Sequence, residues 1–145
     1  MNDFRFGFTG TRYGMTEEQK SALRTFLSGG SGEFHHGDCV GADSEAHDIA
    51  EDCGYCPVLH PPSDYRFRAW KEVPPSLMRI EKPYMTRNRD IVDETIALIA
   101  APAEAAEQPK GGTWSTVRYA RRLGRSIVLL LPDGQVRQTS RSEAA

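Results

Sequence analysis

The chain has 145 residues, a formal charge of −2, and 39% hydrophobic and 26% charged residues, which fits one globular domain and argues against a polybasic nucleic-acid binder. No apolar run approaches the roughly 20 residues that cross a bilayer, and the opening Met1-Asn2-Asp3-Phe4-Arg5 has no signal-peptide pattern. One cytoplasmic domain over 1–134, with no membrane contact and a disordered tail over 135–145, is the expectation.

Phe4-Arg5-Phe6-Gly7-Phe8 alternates and runs into Thr9-Gly10-Thr11-Arg12, a glycine turn between hydroxyls. This reads as a first strand feeding a ligand-side loop. Thr16 and Gln19 form a T-x-x-Q capping box, with Glu17 and Glu18 at the positive end of the dipole and Leu23, Phe26 and Leu27 on the apolar face. A helix over 16–28 follows, ended by Gly29-Gly30-Ser31-Gly32.

A short strand ending at His36 leads into the turn Gly37-Asp38-Cys39-Val40-Gly41-Ala42-Asp43 and a helix over 44–53. Tyr55-Cys56-Pro57-Val58-Leu59-His60 is a third strand, stopped by Pro61-Pro62. Cys39, Cys53 and Cys56 make an odd count suited to reduced thiols, and the single CxxC straddles a helix end and a strand. Neither the cysteines nor the four histidines show metal-ligand spacing, so no metal is expected. Residues 64–82 mix arginines, aromatics and prolines without a period and read as an irregular excursion, a lid or a partner surface.

Pro83 opens a helix over 84–94 that groups Arg87, Asn88 and Arg89, and the apolar run 95–101 reads as a strand covered on both faces. Gly111-Gly112-Thr113-Trp114-Ser115-Thr116 then begins a helix reaching Leu123, and 126–131 is a last strand. Two glycines and three hydroxyls at a helix start suit a phosphate, because backbone N–H groups converge there. Asp38 and Asp43 suit turn and N-cap roles or ribose binding and catalysis, and Trp114 suits packing or base stacking. Five strands alternating with helices predict a doubly wound, parallel α/β sheet with helices on both faces, whose ligands bind beyond the carboxyl ends of the strands. The three glycine loops should open on that one edge.

Gly7-Phe8-Thr9-Gly10-Thr11-Arg12, His36 to Asp43, Met85-Thr86-Arg87-Asn88 and Gly111-Gly112-Thr113 occur in an order that resembles the SLOG superfamily. That group includes the LOG phosphoribohydrolases, the DNA-processing protein DprA, and small stand-alone members in bacteria and phages. The resemblance implies a Rossmann-like sheet holding a nucleotide or nucleotide-derived molecule and no further cofactor. It puts Gly111, Gly112 and Thr113 on phosphate with Arg87 beside them, or Arg89 if the register differs. Gly10, Thr11 and the loop of Gly37, Asp38, Gly41 and Asp43 surround the rest, with Arg12, Asn88, Trp114, Ser115 and Thr116 completing the site.

One departure bears on chemistry. LOG hydrolases carry a glutamate three residues past the threonine of P-G-G-x-G-T, where this chain has Thr116, or Arg118 one turn later. An oxocarbenium-like transition state needs a nearby carboxylate, leaving Asp38, Asp43, Asp93 or Glu94 as stand-ins. Sensing or sequestering a nucleotide is therefore the leading expectation, and phosphoribohydrolase or other N-glycosidase activity the alternative. The resemblance also implies a homo-oligomer, while the near-neutral charge speaks against nucleic acid.

Overall fold

A computed structural model of the chain describes residues 3–139. Six strands, β1 (Asp3–Gly10), β2 (Ser31–His36), β3 (Tyr55–Leu59), β4 (Ala97–Ala101), β5 (Ser126–Leu130) and β6 (Val136–Thr139), form one sheet. Its order is β3-β2-β1-β4-β5-β6. All neighbours run parallel except β5 and β6. The helices are α1 (Glu17–Leu27), α2 (Ala42–Asp52), α3 (Tyr84–Asp93) and α4 (Gly112–Arg122).

Alternation along β1 divides the core in two. Phe6 and Phe8 pack with Leu23 and Leu27 of α1 and with Ala46 and Ile49 of α2. On the other face Gly7 lies so close to α3 that an added Cβ would fall 2.9 Å from Ile91 and Thr95 side-chain atoms. There Val92 of α3 and Trp114, Val117 and Ala120 of α4 pack against Leu98 and Ala100. The expected doubly wound sheet is thus present, with β1 and the fully covered β4 at its centre. The capping box at Thr16 and Gln19 also forms. Gln19 does more than cap, because its buried amide donates to the carbonyls of Pro102, 2.8 Å away, and Leu130, 2.9 Å away.

The strand count is one higher than the five expected from sequence. β6 returns antiparallel along β5, from Leu130 opposite Val136 to Ile127 opposite Thr139, through a turn with Gly134 at φ 91°. Its four residues carry no buried apolar face, so the period that marks a strand is missing, and only Pro132-Asp133-Gly134 hinted at a hairpin. This strand occupies part of the stretch read as tail; residues 140–145 lie outside the described residues.

The excursion contains two short 3₁₀ turns, Tyr65–Phe67 and Pro75–Leu77. It is tied to the body by backbone bonds, among them Val40 N–H to Phe67 O at 2.8 Å, Ala69 N–H to Asp38 O at 2.7 Å and Arg79 N–H to Leu59 O at 2.8 Å. No helix among the described residues is long and apolar enough to cross a membrane.

Candidate functional site

Beyond the carboxyl ends of β1, β2 and β4 lies a cleft of about 570 Å³. The three glycine loops meet here: Gly10, Thr11 and Arg12 from the first, Gly37 and Asp43 from the second, and Gly111, Gly112, Thr113 and Trp114 from the third all line it. Arg87 and Asn88 of α3 form a further wall. Asp38, Gly41, Ser115 and Thr116 do not line it.

Gly111, at φ 102°, precedes α4, and no side chain caps the helix. The first-turn N–H groups of a helix lack acceptors within it, so at Gly112 and Thr113 they are left with the positive end of the dipole facing the cleft. The Thr116 hydroxyl turns back and donates to Gly112 O at 2.7 Å, which explains why it faces its own helix. Trp114 is buried in the α3/α4 core, yet its indole N–H donates to Glu104 Oε1 at 2.9 Å.

Arg87 is 5% exposed and held by main-chain acceptors. Its Nη1 donates to His60 O at 3.0 Å and also to Gly37 O, its Nε donates to Asn88 Oδ1 at 2.7 Å, and its Nη2 reaches Cys39 Sγ at 3.7 Å. Among the described residues no carboxylate forms an ion pair with it. Arg89, the alternative register, instead stacks on Tyr119 with its guanidinium 5.2 Å from the ring centroid and does not line the cleft.

The two candidate aspartates part company. Asp38, at φ 54°, is fully buried but faces the excursion: it pairs with Arg68 Nε at 3.0 Å and accepts from Lys71 N–H at 2.9 Å. Asp43 accepts from the N–H groups of Gly37, at 3.1 Å, and Cys39, at 3.3 Å. Burial pushes its carboxyl up to about 6, against the opposing pull of Arg87 and these N–H donors. Burial likewise pushes the Cys39 thiol up to about 11, so it is no nucleophile at neutral pH. Gly41, at φ 84°, permits close approach to Arg12, since a Cβ there would collide with the Arg12 carbonyl. Asp93 accepts from Tyr119 Oη at 2.7 Å and Glu94 from Arg79 at 2.8 Å; neither lines the cleft.

Sequence reasoning missed several lining residues. Thr9, 8% exposed and read as part of the ligand-side loop but not among the site residues, lines the cleft with a hydroxyl that has no hydrogen-bond partner among the described residues. Phe67 and Tyr84 contribute aromatic walls, and Glu104 and Lys110 come from the loop before α4, whose composition gives no period to read.

The four histidines are all buried and pair with one another. His35 Nδ1 lies 2.8 Å from His60 Nε2, and His36 Nε2 lies 2.8 Å from His47 Nδ1. His35, His60 and Glu94 bring donor atoms within 4.8 Å of one another. The rings are already bonded to each other, however, and Arg79 holds the carboxylate.

No family model matches the sequence, and no curated protein matches it. Solved structures resemble its fold, two of them as follows. The molybdenum cofactor binding protein of the phototrophic bacterium Rippkaea orientalis superposes with a TM-score of 0.66 at 17% identity, over 90% of this chain and 78% of that one. The fold is Rossmann-like. DNA processing protein A (DprA) of Streptococcus pneumoniae gives a TM-score of 0.60 at 16% identity over 88% of this chain, which spans half the length of DprA. At these identities the likeness is one of fold.

Proposed function

We propose that this SLOG-type chain binds a nucleotide or nucleotide-derived molecule in the cleft and senses or sequesters it. The observation that carries this reading is the uncapped start of α4 in the same cleft as a buried Arg87 that forms no ion pair among the described residues, its acid neighbour being the Asp43 carboxyl, pushed up to about 6. A buried guanidinium is costly without an anion, and arginine offers phosphate a two-pronged donor. The matching fold of a protein described as binding the molybdenum cofactor supports a small-molecule ligand here. Holding is favoured over hydrolysis because Thr116, where the LOG glutamate would stand, bonds to its own helix. The same reading expects a cytoplasmic homo-oligomer.

The test is a mass spectrum of small molecules released from the purified protein by denaturation, with calorimetric titration of whatever is found. Recovery of a phosphorylated nucleoside compound that rebinds without turnover supports the reading. Release of none, together with silence across a nucleotide panel, refutes it. Arg87→Ala should weaken binding by about 1.5–3 kcal/mol, the range for a hydrogen bond to a charged group.

A further inference from the structure

The cations of the excursion and those of the cleft differ in their partners. Every one in the excursion has a carboxylate: Arg66 pairs with Asp64, Arg68 with Asp38 and Glu81, Lys71 with Asp48, Arg79 with Glu94 and Lys82 with Asp90. The three that line the cleft, Arg12, Arg87 and Lys110, form no ion pair among the described residues. They stand on different rims. Lys110 adjoins the start of α4, on the face of the sheet covered by α3 and α4, whereas Arg12 follows β1 and leans on the excursion.

Arg12 is also held in place. Its guanidinium sits 4.3 Å from the Phe67 ring centroid and donates one hydrogen bond to Tyr13 Oη at 3.2 Å. Ala42 N–H anchors the preceding carbonyl, of Thr11, at 3.0 Å. A stacked guanidinium with one of its five N–H groups engaged keeps the remaining edge for an acceptor. Thr9 also lines the cleft, and its hydroxyl has no hydrogen-bond partner among the described residues. A single phosphate at α4 would be served by Lys110 and Arg87 and would leave Arg12 without a counter-charge.

We propose that the cleft takes a ligand carrying two linked anionic groups, one held toward the α4 start beside Lys110 and the second toward Arg12. Nucleoside diphosphates and their esters belong to this class; nucleoside monophosphates do not. The proposal rests on the nucleotide reading above.

The experiment is isothermal titration of the full chain, and of its Arg12→Met and Lys110→Met variants, with the mono- and diphosphates of the four ribonucleosides and with ADP-ribose. Circular dichroism verifies that the variants are folded. Wild-type protein should bind at least one diphosphate-bearing probe about tenfold or more tighter than the matching monophosphate, the scale of one charge-assisted contact. Arg12→Met should remove most of that advantage and change monophosphate affinity by less than about twofold, while Lys110→Met weakens both classes. Equal binding of the two classes by wild type overturns the two-anion proposal and leaves the nucleotide reading standing. So does an equal loss on both in Arg12→Met, which would make Arg12 a base-stacking or supporting residue. Absence of heat with every probe overturns the proposal and the nucleotide reading together.

Discussion

The Arg87 guanidinium is hydrogen-bonded to the carbonyl of Gly37, and it lies over the place where a Gly37 side chain would stand. An added Cβ would also fall 3.0 Å from Asp43 Oδ2. The absence of a side chain at Gly37 is thus what allows a cation from α3 and an acid from α2 to meet one turn of backbone. Gly37→Ala should cost about 1–3 kcal/mol of stability, as overpacking does. It should also displace Arg87 from the cleft. Chemical denaturation measures the first effect and nucleotide titration the second; an unchanged midpoint would show that Arg87 is not fixed there.

Stability should fall as the solution is acidified from about pH 7, the side of the histidine range where unshifted rings are neutral. Burial holds His35, His36, His47 and His60 below the usual 6.5, with His60 at about 3. The unfolded chain therefore takes up protons first, and stability present above pH 6.5 is lost on the way down. Asp43 has the opposite sign. Its raised value means that the folded state binds its proton first, which favours folding at low pH and withdraws that support as pH rises through about 6. Four rings outweigh one carboxyl, so the melting temperature should drop between pH 7 and 5. Replacing Asp43 with Asn should steepen the drop.

The charge of the cleft should follow Asp43 as well. ADP-ribose, whose diphosphate charge is constant over this range, should bind more tightly at pH 5.5 than at pH 7.5, because protonation near pH 6 removes a negative charge beside Arg87. In Asp43→Asn that pH dependence should be lost, with affinity at pH 7.5 near the wild-type value at pH 5.5. Titrations at the two pH values decide it, and a retained dependence in the variant would assign the effect elsewhere.

Gln19→Leu removes a buried amide that serves two carbonyls, Pro102 O after β4 and Leu130 O at the end of β5. Leaving buried acceptors unpaired should cost about 1–3 kcal/mol, read as a shift in the urea midpoint. Pro102 begins the loop that carries Glu104 and Lys110, so hydrogen exchange across 102–111 should also rise.

Much of this fold could be read from residue order because most elements announce themselves locally. The Phe4-Phe6-Phe8 alternation, the Thr16–Gln19 box and the apolar run into Ala101 each specify an element without help from the rest of the chain. The convergence of three glycine loops followed from the parallel topology. What could not be read depends on partners distant in sequence. Asp38 and Asp43 look equivalent in one turn, but Arg68 and the Lys71 N–H draw Asp38 away to the excursion. Glu104 meets Trp114 only because the loop before α4 folds back, and β6 is defined by the strand it borders rather than by its own pattern.

The acids that tether the excursion belong to separate parts of the body: Asp38 to the loop after β2, Asp48 to α2, Asp90 to α3 and Glu94 to its end. The excursion, which gives the cleft its Phe67 wall, is therefore fastened both by backbone bonds and by charge across several elements, while another wall is the start of α4. Ionic strength then acts unevenly on the two. Exposed pairs such as Arg66–Asp64, and to a lesser degree the half-exposed Lys71–Asp48, weaken with salt, whereas the helix start is set by covalent geometry and core packing. The excursion is thus the part of the molecule whose anchoring responds to salt, and trypsin cutting at Arg66 and Lys71 should accelerate at high salt before the sheet itself yields.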